Sequence, residues 1–381
     1  MKKIGIKIPP QKPVGELTVG HQQIVEITRS LVKDVKFLIM DEPTAPLTSG
    51  EVEQLYKIIR SLKQQGITII YISHRLEELF DLTDRVTVMR DGRYITTLNV
   101  PETTTAELIR HMVGRELSDT FPRREKPLGE EVLRVEHLSG NGVEDINFTL
   151  HRGEILGFAG LLGCGRTETM EIIYGAARKS GGKIYRNGRE VDIRNTTVAL
   201  ELGIGLIPED RKKNGVFLNM CISWNTAVSC LRQKLLKYKL IVEEKKERAL
   251  ALDYVGKLQI KTPGIEQLVG NLSGGNQQKV VVAKVMATDA DIMIFDEPTR
   301  GIDVGAKQEM YLLIRKMVDG GKSVIMISSE MTEVIGLSDR IVVLCEGRQM
   351  GILEQEAFEQ ERILTLASGL GTEKGDARVY G

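Results

Sequence analysis

No apolar run in the 381-residue sequence approaches the roughly 18 to 20 residues that span a bilayer. The longest, residues 67–72 and 341–345, are far shorter, so no segment reads as membrane-crossing. The opening Met-Lys-Lys-Ile-Gly-Ile-Lys-Ile-Pro-Pro has charge but no sustained apolar core, unlike a secretory signal, which points to a cytoplasmic chain. Neither charge sign is in excess. Lys plus Arg and Asp plus Glu each total 52, which disfavours a nucleic-acid partner or an anionic lipid surface attracted by bulk charge. Cys164, Cys221, Cys230 and Cys345 form no C-x-x-C pair, so they read as small buried hydrophobes rather than a disulfide framework or zinc site. The five histidines likewise show no metal-ligand spacing. The 38 glycines follow no short period, which suggests functional loops rather than a fibre.

What is present is a globular composition, 41% apolar and 27% charged, long enough for two domains of about 100–200 residues. It also holds an internal repeat. Leu38-Ile39-Met40-Asp41-Glu42-Pro43-Thr44 returns 255 residues later as Met293-Ile294-Phe295-Asp296-Glu297-Pro298-Thr299. The same offset carries residues 17–23 onto 272–278, 72–74 onto 327–329 and 84–86 onto 339–341. Each copy reads as helix, buried strand ending in Asp-Glu, polar helix and second strand; in the first copy these are residues 22–33, 37–41, 49–64 and 67–73. Ser49 caps the polar helix, with Glu51 and Glu53 in its first turns. Strands alternating with helices imply an α/β, parallel-rich sheet covered by helices.

The copies differ at their start. Leu272 lies 139 residues beyond the strand-like Leu133, whereas Leu17 lies only 16 residues after Met1, so the first copy is expected to lack about 123 residues. The expected division is an incomplete first copy over residues 1–100, a short helix and linker over 101–131, and a complete second copy over 132–381. The linker has five basic and seven acidic residues.

In the second copy the apolar run 154–159 feeds Gly160-Leu-Leu-Gly163-Cys-Gly165-Arg166-Thr167 and then a helix over 168–173. This is the phosphate-loop plan, with Arg166 in the lysine position. Glycines let successive amides wrap a phosphate, a helix N-terminus adds positive potential, and the Thr167 hydroxyl suits Mg2+. Arginine keeps the charge but brings a broad planar fork where a slim ammonium normally sits.

Leu272-Ser273-Gly274-Gly275-Asn276-Gln277-Gln278, followed by Ile294-Phe295-Asp296-Glu297-Pro298-Thr299, resembles the signature and Walker B pair of an ABC ATPase. The doubled plan, the Arg166 loop, Pro208-Glu209-Asp210-Arg211-Lys212 and Arg300-Gly301-Ile302-Asp303-Val304-Gly305-Ala306-Lys307 are similar to the tandem ATP-binding subunits of sugar ABC importers. The resemblance covers nearly the whole chain. It implies two ABC-type P-loop NTPase domains, each with a helical signature subdomain, closing face to face around ATP and Mg2+.

The resemblance also implies residue roles. The first composite site would use Asp41 for the metal, Glu42 as base and His74 as switch, closed by Ser273, Gly274, Gly275 and Gln277 of the second copy. It needs a phosphate loop that falls in the absent stretch. The second site would use Gly160, Gly163, Gly165, Arg166, Thr167, Asp296 and Glu297, closed by Thr18-Val19-Gly20. Three departures make it a slow site: Arg166 for lysine, Ser329 for the switch histidine and Val19 for glycine. No aromatic lies in residues 139–145, where the family stacks adenine. Glu209 stands at the Q-loop glutamine's position, and the helical region over 217–279 would face an integral-membrane sugar permease. Through the permease, the partner is a periplasmic or extracellular sugar-binding protein, and the expected place is the cytoplasmic face of the membrane. Trp224 reads as core of the helical subdomain, and the charge run over 243–248 as a solvated helix face.

Two other readings compete. A soluble tandem ABC protein of ribosomes or DNA would carry a long basic linker, and this linker is short and slightly acidic. A non-catalytic remnant, or half of a split subunit completed by a separate N-terminal fragment, fits the missing stretch. An uncovered first copy is expected to be poorly soluble alone.

Overall fold

The computed structural model describes residues 11–17, 22–23, 25–27, 29, 35–44, 47, 49–73, 76–90, 93–104, 107–108, 111, 121–122, 124, 127–161, 163–237 and 241–369. The chain divides into two compact units, Met1–Leu117 and Ser118–Gly381.

The first unit contains β1 (Phe37–Asp41), α1 (Ser49–Gln64), β2 (Thr68–Ile72), α2 (Leu76–Leu82), β3 (Arg85–Arg90) and β4 (Arg93–Asn99). Helix α1 buries Leu55, Ile58, Ile59 and Leu62, the i, i+3, i+4, i+7 stripe of an amphipathic helix. That stripe packs on Leu38 and Met40 of β1. Because side chains alternate along a strand, Phe37 and Ile39 point the other way and are 67% and 66% exposed. Strands β1 and β2 pair in parallel, β3 and β4 pair antiparallel, and among the described residues no strand joins the two pairs.

The second unit shows what joins them. It comprises β5 (Glu131–Gly140), β6 (Val143–His151), β7 (Ile155–Ala159), α3 (Arg166–Ile173), β8 (Gly181–Arg186), β9 (Arg189–Val191), α4 (Thr196–Glu201), β10 (Ile204–Ile207), α5 (Ile222–Ala227), β11 (Leu236–Lys237), β12 (Ile241–Val242), α6 (Glu244–Lys257), α7 (Gly274–Met286), β13 (Ile292–Asp296), α8 (Val304–Asp319), β14 (Ser323–Ile327), α9 (Met331–Leu337), β15 (Arg340–Cys345), β16 (Arg348–Glu354) and α10 (Gln360–Ala367). Its ten-stranded sheet runs β10-β13-β14-β7-β15-β16-β6-β5-β8-β9. Strands β10, β13, β14, β7 and β15 are parallel, and β7 sits between the counterparts of β2 and β3.

Two cores clothe this sheet. Met293, Phe295, Val324 and Met326 face α7 and α8; Ile292, Ile294, Ile325 and Ile327 face α3 and the antiparallel strands. The second set corresponds, residue for residue at the 255 offset, to the exposed Phe37, Ile39, Ile70 and Ile72 of the first unit. Start caps differ in the same way. Asp339 is buried, and its Oδ2 accepts from the Ile155 amide at 2.8 Å. Its counterpart Asp84 is 78% exposed at the side chain and pairs with Lys63.

Two features depart from expectation. The helix that follows the glycine loop begins at Arg166 rather than Glu168. Trp224 is not core: it is 38% exposed and meets the exposed Phe217 edge-on, ring centroids 5.6 Å apart. The short α5 turns that edge outward while burying Ile222 and Ala227.

Candidate functional site

The site of the second unit lies where parallel strands end, at the carboxyl edge of the sheet. Strand β7 is buried along its whole length and delivers the glycine loop into α3. Gly160, Gly163 and Gly165 have φ of 155°, 77° and 102°. A Cβ at Gly160 would stand 2.4 Å from Cys164 Sγ and 2.5 Å from the Leu344 carbonyl oxygen, so only glycine fits there. Gly165 caps α3 in the left-handed region, which no β-carbon-bearing residue adopts cheaply.

Adjacent strands bring the acids to this loop. Thr167 Oγ1 donates to Asp296 Oδ2 at 2.9 Å, joining α3 to the tip of β13. Asp296 is buried, and its Oδ1 has no partner. Burial pushes its carboxyl up to about 6, with the Thr167 hydrogen bond opposing and the Glu297 charge adding. Glu297 is also pushed up by burial, and Ser329 holds it back; the Ser329 hydroxyl donates to Glu297 Oε2 at 3.0 Å. Arg166 is buried and donates through NH1 to the Ser328 carbonyl at 2.9 Å. Gly160, Gly163, Gly165, Arg166, Thr167, Asp296 and Glu297 are thus gathered at one place, with Ser329 beside them.

A second cluster surrounds the start of α7. Ser273 is its exposed N-cap, and Asn276 Nδ2 donates to Ser273 Oγ at 2.9 Å. A Cβ on Gly275 would meet Ala306 Cβ at 2.6 Å, so glycine lets α8 pack against the helix start. Gln277, in contrast, faces inward. Its Nε2 donates to the Leu272 and Val269 carbonyls at 3.1 and 3.3 Å, which fixes the helix start and leaves no amide for the outer surface. Arg211, unmarked by sequence reasoning beyond its motif, holds this corner together. It donates to the Arg300 and Gly301 carbonyls at 2.7 and 2.9 Å and to Gln277 Oε1 at 3.5 Å. Glu209 pairs with Arg300.

In the first unit Asp41 and Glu42 end β1 and are exposed. Glu42 has φ 44° and Glu297 φ 49°, so the acid pair keeps its shape in both units. His74, Thr18, Val19 and Gly20 lie outside the described residues.

Residues 1–45 and 143–300 match the family described as ABC transporter. This chain belongs to the ABC transporter family. Its ABC kinship is close in sequence: it is 46% identical over 370 residues to the ribose import ATP-binding protein of Geobacillus kaustophilus, covering 97% of this chain and 74% of that protein. It is 45% identical to the xylose import ATP-binding protein of Moorella thermoacetica, with the same shares. Among solved ABC structures, a nucleotide-free ATP-binding cassette from an ABC transporter aligns with TM-score 0.55 and 15% identity over 62% of this chain and 98% of that one. A component of an ABC transporter complex from Clostridium perfringens aligns with TM-score 0.52 and 23% identity over 61% and 93%. These two establish the ABC ATPase fold. By family the chain is a nucleotide-binding ATPase.

Proposed function

We propose that this chain is the energy-coupling subunit of a sugar importer. It would work at the cytoplasmic face of a membrane against an integral permease, and through the permease with an external sugar-binding protein. The similarity to ribose and xylose import ATP-binding proteins over 97% of the chain supports sugar import. No helix among the described residues is long and apolar enough to cross a membrane. Phe217, Met220, Trp224 and Leu268 form an exposed apolar edge in the region that resemblance assigns to the permease, and the Arg211 bonds tie it to the signature corner.

The observation that carries the nucleotide reading is Thr167 beside Asp296, with Asp296 Oδ1 buried and unpartnered. A hydroxyl and two carboxylate oxygens are the hard oxygen donors that Mg2+ takes. Leaving a buried polar atom unpaired costs about 1–3 kcal/mol, which a cation there would offset. Bound Mg2+ would supply charge neutralisation to the phosphates. The protein's own residues do the rest. Glycine-loop amides and the α3 N-terminus hold phosphate oxygens, and Arg166 adds a guanidinium once it turns from Ser328. Glu297, its proton affinity raised by burial, is suited to accept a proton from water. Ser329 orients Glu297 but offers no imidazole, which supports slow turnover at this site.

In the first unit Asp41 and Glu42 would take the metal and base roles, with His74 at the switch position. That site requires a phosphate loop, and among the described residues of the first unit no strand pairs with both β2 and β3, the place that β7 takes in the second unit. The test is nucleotide binding and hydrolysis by the full chain with its permease. Thr167→Ala and Asp296→Asn should remove the Mg2+-dependent part of ATP affinity, at least tenfold. Affinity indifferent to Mg2+ chelation would sink the metal assignment. Hydrolysis lost with Glu297→Gln but untouched by Glu42→Gln would overturn the placing of the faster site on the first unit.

A further inference from the structure

Two buried glutamates, 255 residues apart, sit in matching networks that the sequence motifs do not include. Glu333, on α9, accepts from Thr299 Oγ1 at 2.8 Å, Ser328 Oγ at 2.8 Å and the Tyr311 hydroxyl at 2.5 Å, with Lys307 Nζ 3.4 Å away. Glu78, on α2, accepts from Thr44 Oγ1 at 2.6 Å, Ser73 Oγ at 2.9 Å and the Tyr71 hydroxyl at 2.8 Å. The threonine, serine and glutamate recur at the repeat offset. A tyrosine recurs too: Tyr311 of α8 has Tyr56 of α1 at the same offset, and Tyr71 of β2, which donates to Glu78, stands where the second unit has Met326.

The retained members mark what is being joined. The threonine stands two residues after each Asp-Glu pair. The serine directly precedes the switch position, His74 or Ser329. In the second unit the Ser328 peptide is a junction: its hydroxyl binds Glu333, accepts from the Glu330 amide at 3.0 Å, and its carbonyl accepts from Arg166. We infer that Glu333 is a positioning residue that fixes the switch loop against the acid-pair loop, and that it thereby aims Arg166 and Ser329. A carboxylate suits this task because hydrogen bonds to an ionised acceptor are roughly twice as strong as neutral ones. Burial, reinforced by the neighbouring glutamate, pushes both tyrosine phenols above their ordinary value, so they stay donors. Tyr311 anchors the carboxylate from the core side, away from the loops.

A purely structural staple would respond differently from a positioning device. Hydrogen–deuterium exchange on the full chain without nucleotide reads the amides of residues 328–330 directly. Glu333→Gln and Ser328→Ala should speed that exchange about tenfold and weaken affinity for a fluorescent ATP analogue with Mg2+ about tenfold. Tyr311→Phe should lower the melting temperature while leaving both readouts within twofold. Unchanged exchange in Glu333→Gln, or the same acceleration in Tyr311→Phe, overturns the inference. If Glu333→Gln does not fold, Ser328→Ala and Thr299→Val carry the same comparison. The affinity readout rests on the nucleotide reading above. A parent chain that binds no ATP analogue defeats that reading, while the exchange result still decides this one.

Discussion

Glu42 and Glu297 share one backbone geometry at strand tips 255 residues apart. Their φ angles are 44° and 49°, and each amide donates to the carbonyl ending the neighbouring strand, Ile72 or Ile327, at 2.9 Å. A residue with a β-carbon held in this left-handed region costs about 1–2 kcal/mol, and strain of that kind tends to persist where function needs it. Glu297→Gly is therefore expected to be more stable than Glu297→Ala by about 1 kcal/mol, since only alanine retains the β-carbon. Urea unfolding of the two variants measures this. Equal midpoints would show that the bend stores no strain.

Asp296 makes stability depend on pH. Burial, with Glu297 adding and Thr167 opposing, raises it from 3.8 to about 6. The folded state therefore binds a proton that the unfolded state has already released over that window. The associated stability is complete below pH 3.8, falls as pH rises, and is lost above about 6, a change on the order of 3 kcal/mol. Glu297 and Asp339 are shifted the same way, both by burial first, so they steepen the trend. Asp296→Asn should be more stable than the parent at pH 7.5 and lose part of the slope between pH 4 and 6. Parallel pH–stability curves for the two proteins would contradict this.

The repeat supplies a paired stability experiment. Ile39 and Ile294 are equivalent positions, one 66% exposed and the other 0%. Ile294→Thr removes a packed methyl and buries a hydroxyl, at a cost of about 2–4 kcal/mol. Ile39→Thr should cost less than about 0.5 kcal/mol and make the protein more soluble, because it breaks an exposed apolar face. Denaturation midpoints and sedimentation after concentration give the answer. A large penalty at Ile39 would mean that this face is covered.

Arg211 bridges three segments through carbonyl and amide oxygens. Arg211→Met keeps the bulk but loses every one of those bonds, for an expected cost of about 1–2 kcal/mol at this half-exposed corner. Arg211→Lys should recover little, since an ammonium lacks the fork that spans two carbonyls. With the permease present, both variants should lose stimulation of ATP hydrolysis while the unstimulated rate holds. Full stimulation in Arg211→Met would remove Arg211 from the coupling route.

Much of this was legible before folding was considered. The Asp-Glu pair after an apolar run, the glycine loop and Ser273-Gly274-Gly275 each have a local chemical reason to exist, so a linear sequence displays them. Trp224 was misplaced by the same local logic. The fold turns Gln277 onto the Val269 and Leu272 carbonyls, which no linear motif displays. A lone tryptophan reads as core, but a short helix tips it outward against Phe217. The Glu78 and Glu333 networks are not legible in the sequence because their members lie up to 34 residues apart and belong to no linear motif.

By itself, the sequence determined the duplication, the family and the residue types of the site, because those follow from spacing and side-chain chemistry. Tertiary structure alone decided which strands meet. With β7 between β14 and β15, the acids, Arg166 and Thr167 converge and Ile294 is buried. Among the described residues of the first unit nothing stands in that place, so equivalent residues face solvent: a strand has two faces, and only its neighbours determine whether both are covered.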